Sequence, residues 1–176
     1  MAYALHTVAP YRLLLECTRN DVHYVQTSTH AVFDGNKRTP YTEEDRPSPV
    51  NIYGSSKLAA EELTAALCPR HYIVRFPTLF GDRRNEAFGF ADKAVGWLRE
   101  GREPQIAADK IDSPTYARDA ASRLLEMLLS QAESGLYHLA NTGADSFHTF
   151  VCSLRDLLGL DNVCLLYTSD AADERS

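Results

Sequence analysis

An α/β fold with a largely parallel sheet is what this sequence predicts, on three observations. Strand-like and helix-like segments alternate along its 176 residues, the pattern of chains whose parallel strands are linked by helices. The strand-like segments, such as Val22–Thr27 and His71–Phe76, are short and β-rich, as buried strands are. Cap and breaker residues, among them Ser48-Pro49, Cys68-Pro69 and Ser146, punctuate the alternation. The length suits one domain with a sizeable core.

Taken in order, Pro10–Arg19 is a predicted helix, with Leu13, Leu14 and Cys17 at helical spacing. Val22–Thr27 follows as a strand, and Asp34-Gly35 opens a polar loop running to about Asp45. Ser48 is the expected N-cap and Pro49 the first residue of a helix reaching Leu67. His71–Phe76 (H-Y-I-V-R-F) is the next strand. A helix over Ala87–Arg99, a strand over Gln105–Ala108, a helix over Tyr116–Leu129 and a strand over Gly135–Ala140 come next. Ser146 caps a last helix ending at Gly159. The chain has no internal repeat and no low-complexity stretch.

Composition narrows the function. With 44% hydrophobic and 24% charged residues, the chain is an ordinary soluble type. A formal net charge of -6 gives no long-range attraction to phosphate backbones or anionic lipids. Lys37-Arg38 and Arg83-Arg84 are isolated basic pairs, so nucleic acid and membrane are not expected as partners. Cys17, Cys68, Cys152 and Cys164 form no C-x-x-C pair and no zinc or disulfide spacing, and are expected to be buried free thiols in a reducing cytosol. The apolar run near the N-terminus is too short for a signal peptide or a membrane span.

Both ends carry expectations of their own. The string Cys164–Ser176, C-L-L-Y-T-S-D-A-A-D-E-R-S, resembles the product of a transposon-end sequencing adapter read in one frame. It is expected to be a non-native tail that packs on nothing; the alternative is a genuine polar C-terminus. At the other end, Met1 stands a few residues before a helix, with no strand and glycine-rich turn ahead of it.

The run that carries chemistry is Tyr53-Gly54-Ser55-Ser56-Lys57. A Tyr and a Lys four apart on a helix share one face. A phenol with a pKa of about 10 exchanges protons poorly at neutral pH, and a neighbouring ammonium favours its ionised form. Such a pair suits proton transfer to a carbonyl oxygen while hydride reaches the carbon. The bare motif has a second reading, a snorkelling Lys beside a half-buried Tyr. Thr27-Ser28-Thr29 ends the predicted strand, where α/β proteins place ligands. A hydroxyl there could bond both a substrate carbonyl and the Tyr oxygen, or simply cap the strand end.

At these residues the chain resembles the dTDP-4-dehydrorhamnose reductases, which are extended short-chain dehydrogenases/reductases. Thr27-Ser28-Thr29-His30-Ala31-Val32-Phe33-Asp34-Gly35 is similar to the S-T-D-Y-V-F-D-G segment of that family. Further similar stretches follow in order: Thr39–Asp45, Asn51–Ala59, Glu61, Ser113–Asp119 and Gly135–Ala140. The resemblance runs from about Ala2 to about Leu160.

What the resemblance implies is a partial Rossmann-like, doubly wound parallel sheet with a small substrate-binding part and the first βαβ unit missing. Residues 1–163 would be the partial NAD(P)-binding domain, with substrate-binding segments interleaved mainly at 80–115 and 135–163. Tyr53 matches the catalytic acid/base. Lys57 matches the residue that tunes it and holds the nicotinamide ribose, and Thr29 the hydroxyl that contacts both Tyr and sugar. Thr27 falls where the strand passes the cofactor, NADPH or NADH. His30 and Thr78 stand at substrate-contacting positions, but His30-Ala31 replaces the family's Asp-Tyr and Thr78 a frequent tryptophan. The implied activity is reduction of a keto group on a nucleotide-activated deoxysugar by a cytoplasmic enzyme able to form a homodimer, with no metal. A nucleotide-sugar epimerase or dehydratase, or a non-catalytic regulatory subunit, are the alternatives. The family's opening strand and G-x-x-G-x-x-G turn have no counterpart in the nine glycines. The 176 residues by themselves are therefore expected to be inactive and to bind no dinucleotide measurably.

Overall fold

A computed structural model describes residues 1–81, 89–160 and 163–168. In chain order the elements are a π-helical turn Ala4–Val8, α1 (Ala9–Arg19), β1 (Tyr24–Thr29), a 3-10 turn His30–Val32, α2 (Ile52–Leu67), β2 (His71–Phe76), β3 (Leu79–Phe80), α3 (Phe90–Arg99), β4 (Gln105–Ala107), β5 (Ile111–Asp112), β6 (Thr115–Tyr116), α4 (Ala117–Leu129), β7 (Gly135–His138), β8 (Asp145–Ser146), α5 (Phe147–Leu157) and β9 (Leu166–Thr168). They fall into two compact units, Met1–Pro77 with Arg123–Leu139, and Thr78–Ser122 with Ala140–Ser176.

The first unit holds a three-stranded parallel sheet in the order β1-β2-β7. Tyr24 pairs with His71 and Thr29 with Phe76, while Arg75 pairs with His138. Parallel pairing in this register brings the carboxyl ends of all three strands to one edge of the sheet. The middle strand is the most deeply buried, with Tyr72 and Val74 fully enclosed; this is why H-Y-I-V-R-F shows no in/out alternation. The helix α2 links β1 to β2 and packs on both. Leu14 of α1, Tyr24 and Cys68 close a second small core, flanked by Tyr11 and Cys17.

The helix expected from Ser48 begins at Ile52 instead. The Ser48 amide donates to the Val32 carbonyl at 2.8 Å and holds this stretch against the 3-10 turn, and residues 48–50 lie outside the helix. Asn51, an equally good cap type, takes over: its backbone is extended and its Oδ1 accepts from the Gly54 amide at 2.7 Å. The first strand also lies two residues later than its composition suggests, at 24–29 rather than 22–27. Asp21, with φ 52, makes the turn after α1 and delays it, which places Thr29 inside the strand end.

In the second unit, Ala94, Leu98, Ile106, Val151 and Val163 form a core, with Trp97, Phe147, Phe150 and Leu165 against it. Ser146 caps α5 as expected, its Oγ accepting from the Thr149 amide at 2.9 Å, and Gly159 with φ 66 follows the helix end. The α3 helix starts at Phe90 where Ala87 was expected; residues 87 and 88 lie outside the described residues.

The expectation that residues from 164 onward pack on nothing fails for their first part. Leu165 touches the core, and Leu166–Thr168 pairs in parallel with β4. An open strand edge presents a row of N–H and C=O groups to which any extended chain can bond. Leu166 N–H reaches Pro104 O at 3.3 Å, and Ala108 N–H reaches Thr168 O at 2.9 Å. The thiols differ from expectation as well: all four are free, but only Cys68 is buried and Cys164 is exposed. Among the described residues, no helix is long and apolar enough to cross a membrane.

Candidate active site

Tyr53, Lys57 and Glu61 occupy successive turns of α2 at i, i+4 and i+8, and so form one row along the helix. The row descends from surface to core. Tyr53 is exposed, Lys57 is intermediate and Glu61 is buried. Each residue meets a different partner at its depth.

Lys57 Nζ donates to the carbonyl oxygen of Thr27 at 2.7 Å, which ties the middle of the row to β1. Burial lowers the Lys57 pKa below the ordinary lysine value, and the Glu61 carboxylate pulls it back upward. Glu61 is held by Arg75 of β2 through three contacts: Nε to Oε1 at 3.0 Å, Nε to Oε2 at 3.2 Å and Nη2 to Oε2 at 2.6 Å. Ser28 also donates its hydroxyl to Glu61. Both side chains of this fork-shaped pair are about 95% enclosed, at 4% and 5% exposure. A buried pair of this kind persists only when its geometry and remaining hydrogen bonds are good.

The top of the row is set by Gly54. A Cβ added there would lie 2.1 Å from the Ala31 carbonyl oxygen and 3.0 Å from Pro49 Cβ. The first turn of α2 therefore meets the turn after Thr29 backbone to backbone, which only glycine permits. Thr29 itself is buried, and its Oγ1 accepts from the Ala31 amide at 3.2 Å. The strand-end capping role considered from sequence is thus present, and it leaves the hydroxyl hydrogen to donate. His30 opens the 3-10 turn and is exposed. Thr27, also exposed, contributes its backbone carbonyl rather than its hydroxyl to Lys57.

The loop after the 3-10 turn is anchored at the same edge of the sheet. Phe33 stacks on Tyr41 at 4.1 Å between centroids, with Arg75 Cζ 5.0 Å from the Phe33 ring. Tyr41 donates to Asp34 Oδ1 at 2.8 Å, and Glu43 accepts from the His138 amide at 2.7 Å. Thr78 belongs to the second unit, where its amide donates to Asp112 Oδ2 at 3.0 Å and its carbonyl accepts from the Thr115 amide at 2.9 Å.

The described geometry thus gathers Tyr53, Lys57, Thr27 and Thr29 around the carboxyl half of β1 and the start of α2. The profile of the RmlD substrate binding domain matches residues 1–173. The chain belongs to this family. Among its relatives, the spore coat polysaccharide biosynthesis protein SpsK of Bacillus subtilis is 30% identical over 169 residues, covering 96% of this chain and 58% of that protein. The dTDP-4-dehydrorhamnose reductase of Mycolicibacterium smegmatis is 35% identical over 146 residues, covering 82% and 44%. The crystal structure of dTDP-4-dehydrorhamnose reductase from Bacillus anthracis in complex with NADP superposes with a TM-score of 0.86 at 30% identity, covering 96% of this chain and 59% of that one. The chain spans about half the length of the curated relatives it matches. The family membership and the α/β fold with a parallel sheet expected from sequence are both borne out.

The roles of four residues are not legible in the sequence. Asn51 was overshadowed by Ser48-Pro49. The Glu61–Arg75 pair had a signal in the arginine inside an otherwise apolar strand, because such a charge needs a buried partner. His6, whose ring meets Tyr53 edge to face at 5.3 Å and 85°, had none.

Proposed function

We propose that this chain carries the proton-transfer residues of an NAD(P)H-dependent reductase acting on a keto group of a nucleotide-activated deoxysugar, of the dTDP-4-dehydrorhamnose kind. Tyr53 gives its phenolic proton to the carbonyl oxygen as that oxygen gains negative charge. Lys57 supplies positive charge one helical turn from the phenol and stays in place through its bond to Thr27 O. Thr29 orients the substrate carbonyl with its hydroxyl hydrogen. His30 and Thr78 are the proposed sugar-contacting residues.

NADPH or NADH, when bound, supplies the hydride. The residues present suit its nicotinamide end: Lys57 is an ammonium with hydrogens beyond the one used on Thr27, and Thr27 is exposed beside it. Lys57 and Tyr53 would hold the ribose there. The NADP-bound relative from Bacillus anthracis supports this choice of cofactor. Four free thiols fit a cytoplasmic setting, and a homodimer of the whole protein belongs to the same reading.

The observation that carries the proposal is the Lys57–Thr27 bond, which fixes the charged end of the Tyr-Lys row against the strand. The test is a chimera in which this chain replaces the matching segment of the Mycolicibacterium smegmatis reductase. It should oxidise NADPH in the presence of a dTDP-4-keto-6-deoxysugar. Tyr53→Phe should lower turnover by about 10²-fold or more while leaving the fold intact. Undiminished turnover by Tyr53→Phe would remove Tyr53 from the role of acid.

A further inference from the structure

The π-helical turn Ala4–Val8 stands out because such turns are rare and gather at functional sites. Its widened backbone, closed by the Ala9 amide on Ala4 O, directs two neighbouring side chains toward α2. Thr7 is buried and donates its hydroxyl to the Ser56 carbonyl at 2.8 Å, between Tyr53 and Lys57 in sequence. His6 places its ring edge to face with Tyr53. It also lines a groove with Leu5, Leu13, Tyr24, Thr27 and Lys57. The turn is thus fastened beside the Tyr-Lys row, and His6 closes one side of it.

We propose that His6 is a positioning residue of this site: an imidazole wall that sets the plane of the Tyr53 ring and shares the groove with Lys57. Only the naming of Tyr53 as the acid rests on the reductase reading; the contact and its electrostatics stand on this chain alone. Burial, with the charge of Lys57 added, lowers the His6 pKa below the ordinary histidine value. The groups facing it are few in kind. From α2 come Tyr53 and Lys57. From α1 come Ala9, Pro10 and Leu13, which do not titrate. From β1 come Gln26, Thr27 and Tyr24, whose phenol is pushed up by burial and so stays uncharged. Lys57 is therefore the cation that opposes protonation of His6. Once His6 is protonated in acid, two like charges share the groove, and the ring that meets Tyr53 is repelled by Lys57.

The test is an NMR titration of the 176-residue chain, following the His6 imidazole nitrogens and the Tyr53 ring protons. The His6 midpoint should lie below that of an ordinary histidine and rise when Lys57 is replaced in Lys57→Met. The Tyr53 ring shifts should follow the His6 midpoint. Lys57→Gln repeats the test should Lys57→Met fail to fold. A His6 midpoint unmoved by loss of Lys57, or Tyr53 shifts independent of it, would overturn the proposal. No turnover is needed, so an inactive chimera would count against the reductase reading and leave this inference standing.

Discussion

Replacing Gly54 with alanine tests the backbone contact on which the site is built. Elsewhere in a helix, Gly→Ala gains about 1 kcal/mol from propensity. At Gly54 the new Cβ would stand 2.1 Å from Ala31 O, whereas carbon meets a carbonyl oxygen at about 3.3 Å. The misfit of about 1.2 Å involves the backbone of both elements, so no side-chain rotation relieves it. Overpacking of this kind costs about 1–3 kcal/mol, and the rigid partners favour the upper end. Offsetting the propensity gain leaves Gly54→Ala less stable by about 2 kcal/mol, roughly a 30-fold change in the folding equilibrium. Urea denaturation followed by circular dichroism should show the midpoint falling by about 1 M, for a slope of about 2 kcal/mol/M. Gly96→Ala is the internal control: that glycine lies within α3 with nothing within 4 Å of an added Cβ, and should gain about 0.5–1 kcal/mol. In the chimera, Gly54→Ala should also cost about 10²-fold in turnover, because a displacement of about 1 Å separates Tyr53 from Thr29. A Gly54→Ala chain as stable as the original would refute the close-approach argument, most clearly if Gly96→Ala were stabilised as stated.

Three further outcomes are expected. Glu61→Ala strands Arg75 in the core and should destabilise the chain by about 3–5 kcal/mol, whereas Glu61→Leu combined with Arg75→Met should recover most of that in the same urea titration. Asn51→Ala removes the α2 cap and should cost about 1 kcal/mol; an unchanged denaturation midpoint would show that Asn51 does not act as the cap. Burial, helped by Arg75 and opposed by Glu43, lowers the His138 pKa below 6.5. The unfolded chain then binds the proton more readily, so this contribution is complete above about pH 6.5 and is lost as pH falls through the folded pKa. His138→Gln should flatten that limb of the stability–pH curve, and an unaltered limb would assign it to another group.

The local pattern of this chain was legible without coordinates wherever neighbours in sequence decide the outcome. The strand His71–Phe76, the Ser146 cap and the shared face of Tyr53 and Lys57 follow from periodicity and cap chemistry, which act over a few residues. The ordered motifs from Thr27 to Ala140 indicated the family for the same reason. Where two residues of good cap type precede one helix, the sequence misleads: Ser48 looks like the cap, but α2 starts behind Asn51, and the Ser48 amide ties its own segment to the Val32 carbonyl. Likewise, the last strand pairs with β4 although its residues gave no sign of a partner. The remaining features belong to the tertiary structure alone. That Gly54 must be glycine depends on the Ala31 carbonyl, 23 residues earlier. That Arg75 can lie in a buried strand depends on Glu61 and Ser28 arriving from two other elements. That His6 meets Tyr53 depends on a π-turn tied to α2 by Thr7. Each is a contact between residues far apart in the chain, and its energy exists only once packing has brought both partners out of water.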